Sequence, residues 1–160
     1  MSSQGADYAA FIAAELKAEQ DRRDNANSRA ATMLTAATGL VTIVVSVFTV
    51  IHGKDFILTA SAKAALIVAL LALLVTAALS LVASLARTYE TASPATLRRM
   101  LDAHWTDSEA AARNITASCN IHTLETLRAG TNFKYRTMWL AGGFQLIATL
   151  ALIVCVGIAV

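Results

Sequence analysis

The sequence predicts an all-α integral membrane protein, with three transmembrane helices, cytosolic helical extensions and one short amphipathic helix. Three observations predict it. Of 160 residues, 56% are hydrophobic and 15% charged, and the mean hydropathy of +0.57 exceeds what a water-soluble domain of this size needs. Stretches free of Asp, Glu, Lys and Arg cover 30–51, 64–86 and 137–160, or 22, 23 and 24 residues. At about 1.5 Å per helical residue each matches the roughly 30 Å hydrocarbon core of a bilayer. These runs are continuously apolar, which excludes the alternating strands of a membrane β-barrel and leaves no room for a soluble α/β enzyme.

Residues 1–29 read as a cytosolic N-terminal helical arm. Tyr8, Phe11, Ile12 and Leu16 recur at helical spacing while Glu15, Lys17, Glu19, Arg22 and Arg23 point elsewhere. The arm lacks the basic start and short apolar run of a secretory signal, so the stretch that follows is read as a permanent span. With no proline and no glycine between Gly5 and Gly39, arm and first span (30–51) are expected to form one helix from about residue 6 to about residue 51. The outer loop, 52–63, opens on the breakers His52, Gly53, Lys54 and Asp55 and offers Ser61 as an N-cap.

The second span, 64–86, is expected to continue past Arg87 and Tyr89 to Ser93 and Pro94, the only proline. Within the cytosolic helical region 87–136, Leu97, Met100, Leu101, His104 and Trp105 share one face, opposite Arg98, Arg99 and Asp102. This is the clearest amphipathic pattern outside the spans. It suits packing on the other cytosolic helices or lying on the inner leaflet. Thr106-Asp107-Ser108-Glu109 fits a capping box that starts the last helix. That helix leads through Gly130 into the third span, 137–160. Four Lys/Arg in the arm and seven in Arg87–Arg136, against Lys54 and Lys63 between the first two spans, place arm and middle region in the cytoplasm and the last residue outside.

No phosphate loop, HExxH, CxxC or nucleophile elbow is present, and no span carries a charge, which argues against an enzyme, a cofactor or an ion-coupled pump. Cys119, His122 and His104 make too sparse a set for zinc. A net charge of +2 is too small to suggest nucleic-acid binding. The positive signal lies in the first span. Thr32, Thr35, Thr38, Thr42, Ser46 and Thr49 advance by three or four residues, so at about 100° per residue they fall within a sector of roughly 120° that also holds Gly39. Such a stripe serves as a close helix-packing seam, or as the lining of a water-filled path once several chains assemble. Ala72, Thr76, Ser80 and Ser84 form a narrower track on the second span, and Gly142, Gln145 and Thr149 share a face of the third.

The order of parts, together with Asn25-Ala-Asn-Ser-Arg-Ala-Ala-Thr-Met-Leu34 and Asn132-Phe-Lys-Tyr-Arg136, resembles the transmembrane effectors of bacterial Pycsar antiphage systems. The first segment is similar to that family's polar-to-apolar motif around an AD-x-K-A core, and the second to its K-Y-R approach to the last span. Asn27 stands where the family usually has Asp, and Arg29 where it has Lys. The resemblance implies an inner-membrane protein that answers an infection-made nucleotide by assembling and disrupting the bilayer. A cyclic nucleotide would need cationic donors, for which Arg98, Arg99, Arg113 and Arg128 are available. The expected function is therefore an oligomerising effector of the bacterial inner membrane in antiphage defence, whose partners are lipid, copies of itself and a cyclic nucleotide. The alternative is a constitutive small channel or a structural subunit of a membrane complex.

Overall fold

The computed structural model of the chain describes residues 4–52, 59–85, 88–104 and 106–159, without the side chains of 47–52 and 159. The described residues form four helices and no strand: α1 (Gln4–His52), α2 (Ala60–Ser84), α3 (Pro94–Asp102) and α4 (Glu109–Ala159). Stretches of α1, α2 and α4 are long and apolar enough to cross a membrane. The expected outer turn at Gly53, Lys54 and Asp55 lies outside the described residues, as do Arg87, Trp105 and the side chains of His52 and Thr49.

Helix ends depart from the sequence reading in three places, each for a local reason. Thr59, not Ser61, caps α2: its backbone is extended (φ −59°, ψ 156°) and its hydroxyl accepts from the Ala62 amide, while Ser61 is already helical. Helix α2 stops at Ser84, where Leu85 turns extended, and residues 88–93 are not helical. Helix α4 begins at Glu109 with Ser108 as its cap, the Ser108 hydroxyl accepting from Ala111 N at 3.3 Å. Glu109 consequently sits in the first turn and pairs with Arg113 four residues on, instead of returning to a cap amide at Thr106. Ser93 and Pro94 start α3 as the spacing predicts, with the Ser93 hydroxyl accepting from Thr96 N at 3.1 Å.

The chain divides into two compact units, Met1–Asn25 with Ala86–Phe133, and Ala26–Leu85 with Lys134–Val160. In the second unit most hidden residues are small, with Leu73, Lys134, Met138 and Leu152 as the large exceptions. Ala26, Ala30, Ala83 and Met138 form one buried cluster flanked by Met33 and Tyr135. Ala37, Ala72, Leu73 and Ala148 form another, flanked by Leu40 and Val41. Large side chains such as Ile67, Leu71, Leu74, Leu146, Leu150 and Ile153 face outward. Alanines inside and leucines outside suit a bundle in lipid, where close backbone approach rather than the hydrophobic effect holds helices together.

In the first unit polar contacts dominate. The Arg128 guanidinium reaches Glu15 at 2.6 Å and Glu19 at 3.7 Å, and Arg22 bonds Glu19 at 3.4 Å and the Asn132 amide oxygen at 3.2 Å. Glu90 meets His122 at 2.6 Å, and Arg23 lies 4.6 Å from the centroid of the Tyr89 ring. Of the expected apolar stripe on the arm, Ile12 and Leu16 are half-buried while Tyr8 and Phe11 stay exposed.

Candidate functional site

The buried face of each long helix repeats every three or four residues. On α1 it runs through 19, 23, 26, 30, 33, 37, 40 and 44, and on α2 through 62, 66, 69, 73, 76, 80 and 83. On α4 it runs through 123, 127, 131, 134, 138, 141, 145, 148, 152 and 155. An average of 3.5 residues per repeat is the signature of side-by-side helices with a left-handed twist.

The hydroxyl stripe of α1 has the same period, displaced by two residues, which at about 100° per residue puts it on the opposite side of the helix. Thr32, Thr35, Thr38, Gly39, Thr42 and Ser46 are all exposed, turned away from the clusters that α1 builds with α2 and α4. The threonine hydroxyls bond to their own helix: Thr32 to Ser28 O at 3.0 Å, Thr35 to Ala31 O at 3.1 Å, Thr38 to Leu34 O at 3.1 Å and Thr42 to Thr38 O at 3.1 Å. Each hydroxyl is thereby satisfied without a partner helix, and a rotamer change frees it to bond elsewhere. A Cβ built on Gly39 would meet nothing within 4 Å, so that site is open surface.

Of the α2 track, Ala72, Thr76 and Ser80 turn inward while Ser84 is exposed. The Thr76 hydroxyl donates to Ala72 O at 2.9 Å and to Ala141 O of α4 at 3.4 Å, whereas the buried Ser80 hydroxyl has no hydrogen-bond partner among the described residues. Gln145 is half-buried on the α4 seam, and Thr149, bonded to Gln145 O at 2.9 Å, opens onto an apolar groove with Leu40, Val44, Leu152 and Val156.

The four arginines do not converge. Arg128 is held by Glu15 and Glu19, and Arg113 by Glu109. Arg98 and Arg99 are exposed on α3. Arg113 also lines a cleft of about 770 Å³ between the starts of α1 and α4, with Tyr8, Ile12, Asn114 and Ser118. Among the described residues no His, Cys, Asp and Glu set is grouped to hold a metal ion. His104 Nδ1 lies 2.9 Å from Asp107, His122 pairs with Glu90, and Cys119 is half-buried.

Two residues that sequence reasoning left aside are the most deeply placed charges. Lys134 is 2% exposed, and its Nζ donates to the Asn27 amide oxygen at 2.6 Å. Glu19 is 5% exposed, with Oε1 unpartnered among the described residues. A fully hidden lysine is rare and needs polar company. The signal that finds both is the 3.5-residue repeat, because each falls on a seam position of its helix. Lys134 and Asn27 also belong to the two short segments that carry the resemblance, and the fold joins them.

Long apolar helices, inward alanines and outward leucines define the class of the molecule: an all-helical chain with the makeup of a multi-pass membrane protein. Comparison with protein-family models, curated proteins and solved structures gives no match to this chain.

Proposed function

We propose that this chain is a membrane effector of the bacterial inner membrane that acts by associating with copies of itself and permeabilising the bilayer. The reading keeps the arm and middle region in the cytoplasm, where basic residues concentrate, and the last residue outside. The observation that carries it is the second seam on α1. One helix bears two repeats of equal period on opposite faces; the alanine repeat is consumed inside the chain, and the hydroxyl repeat is left outward. A face of Thr, Ser and Gly whose threonine hydroxyls are self-satisfied permits close approach of another helix, and can turn its hydroxyls to water when copies surround a path.

The polar unit would receive the signal, since α1 and α4 each run unbroken from it into an apolar stretch. A cyclic nucleotide in antiphage defence is the signal that the resemblance implies, and Arg113 in its cleft is the arginine best placed to meet one.

The test is disulfide crosslinking of full-length protein in vesicles, with Cys119 replaced by Ser, the buried Cys155 retained and one cysteine introduced at 35, 42 or 36, read alongside dye release. Crosslinked dimers at 35 and 42 but not at 36, which is exposed about 100° around the helix from 35, with release rising when a cyclic nucleotide is added, support the proposal. A protein that stays monomeric at every position overturns it, and release without any nucleotide favours the constitutive channel. Thr35→Val with Thr42→Val separates lining from seam. Loss of release with crosslinking intact assigns the hydroxyls to water, and loss of both assigns them to packing.

A further inference from the structure

Helix α3 carries the clearest amphipathic pattern outside the apolar stretches, yet it has no fully buried residue. Thr96 and Met100, one turn apart, are its half-buried residues, and Met100 lies in a recess with His104, Asp107, Ala112 and Ile115. This pins one edge of the helix to the start of α4. Leu97 and Leu101, one turn apart, are left 51% and 60% exposed. Arg98 borders them and Arg99 follows on the polar side. Neither makes an ion pair or a side-chain hydrogen bond among the described residues, although Asp102 lies within the same helix.

We infer that α3 docks on an anionic lipid surface, with Leu97 and Leu101 inserted between headgroups and Arg98 and Arg99 paired to lipid phosphates. Three features select lipid over a protein partner. The chain leaves α2, apolar enough to cross a membrane, at Ser84, and α3 starts at Pro94. Nine intervening residues reach at most about 30 Å, so α3 is tethered near whichever bilayer surface α2 emerges from. Two arginines against one acid leave the helix cationic, complementary to anionic headgroups. The exposed apolar strip is two leucines wide, enough for shallow interfacial insertion and narrow for a protein interface. The inference requires only that α2 crosses the bilayer; it stands or falls independently of self-association and nucleotide binding.

The test uses full-length protein in vesicles of phosphatidylcholine, with and without phosphatidylglycerol, and a spin label at Leu97→Cys, Leu101→Cys or Arg99→Cys. Cys119 is replaced by Ser; Cys155, 0% exposed, is retained. Accessibility to oxygen, which concentrates in lipid, is compared with accessibility to a water-soluble nickel chelate. The expected result is an oxygen-to-chelate ratio several-fold higher at 97 and 101 than at 99, increased by phosphatidylglycerol and reduced toward the phosphatidylcholine value by Arg98→Glu. Equal, chelate-dominated ratios at all three positions overturn the inference in favour of a solvated helix. Low accessibility to both reagents at 97 and 101 overturns it in favour of a protein partner, and ratios indifferent to phosphatidylglycerol overturn the anionic assignment. Positions 97 and 101 are independent, so failure of one variant to insert leaves the other to decide.

Discussion

The two units of the chain are held together by opposite means. In Ala26–Leu85 with Lys134–Val160, alanines on three helices meet and most leucines point away, Leu73 and Leu152 being the buried exceptions. In Met1–Asn25 with Ala86–Phe133, arginines and glutamates bridge helix to helix, and Leu127 is the one large apolar side chain fully hidden among the described residues. The difference is the one expected between helices packed in lipid and helices packed in water. Where lipid surrounds the helices, leucine gains nothing by turning inward, and stability comes from the close backbone approach that alanine permits. Where water surrounds them, charged side chains can hold two helices side by side, but each exposed pair contributes only about 0.2–1 kcal/mol and is screened by salt.

The comparison breaks most readily at the alanine seam. Ala148, 0% exposed, has no room for a larger side chain. Ala148→Leu should destabilise the apolar unit by about 3 kcal/mol through overpacking, whereas Leu150→Ala on the outward face should leave the thermal midpoint in detergent nearly unchanged. If the two variants shift the midpoint equally, the inside-out packing is wrong.

A smaller effect is expected at the buried lysine. Asn27→Ala removes the acceptor 2.6 Å from Lys134 Nζ, and should lower stability by about 1–3 kcal/mol because a hidden charged donor loses a partner. Asn27→Asp should do no such damage, since a carboxylate keeps the acceptor. Equal midpoints for Asn27→Ala and the parent chain would mean that the contact carries no weight.

Smaller still is the ion-pair network. Arg128→Gln should weaken the polar unit by about 1 kcal/mol or less, given the half-exposed side chains involved. Raising salt should speed amide exchange in 5–25 and 109–133 while leaving 60–84 unaffected. Uniform salt sensitivity along the chain would erase the distinction between the units. The smallest change has the opposite sign. Ser80→Ala deletes a buried hydroxyl without a partner among the described residues, and should raise the midpoint slightly, by about 0.5 kcal/mol of stability.

Much of this was legible beforehand, for identifiable reasons. That three helices contain stretches long and apolar enough to cross a membrane is readable because length and hydropathy are properties of consecutive residues. The unbroken course of α1 and α4 was readable from the lack of proline and the scarcity of glycine. The caps at Thr59 and Ser108 were misplaced by two residues, since several hydroxyls stand side by side and only the backbone turn selects one. Of the candidate site, the stripe Thr32, Thr35, Thr38, Gly39, Thr42 and Ser46 was visible as a stripe, but its direction was not.

The sequence by itself determined that this is an all-helical chain with three stretches apolar enough for lipid, because hydropathy and helical period are local properties of consecutive residues. Only the tertiary structure decided which face of each helix is hidden. Helix α1 carries an alanine repeat and a hydroxyl repeat of the same period, and choosing between them depends on what α2 and α4 present in return: Ala72, Leu73, Ala83, Met138 and Ala148, which fit alanines. The same choice carried Lys134 and Glu19 inside and turned Leu97 and Leu101 out. Complementarity between distant segments is a property of pairs of surfaces, and one strand of letters does not contain it.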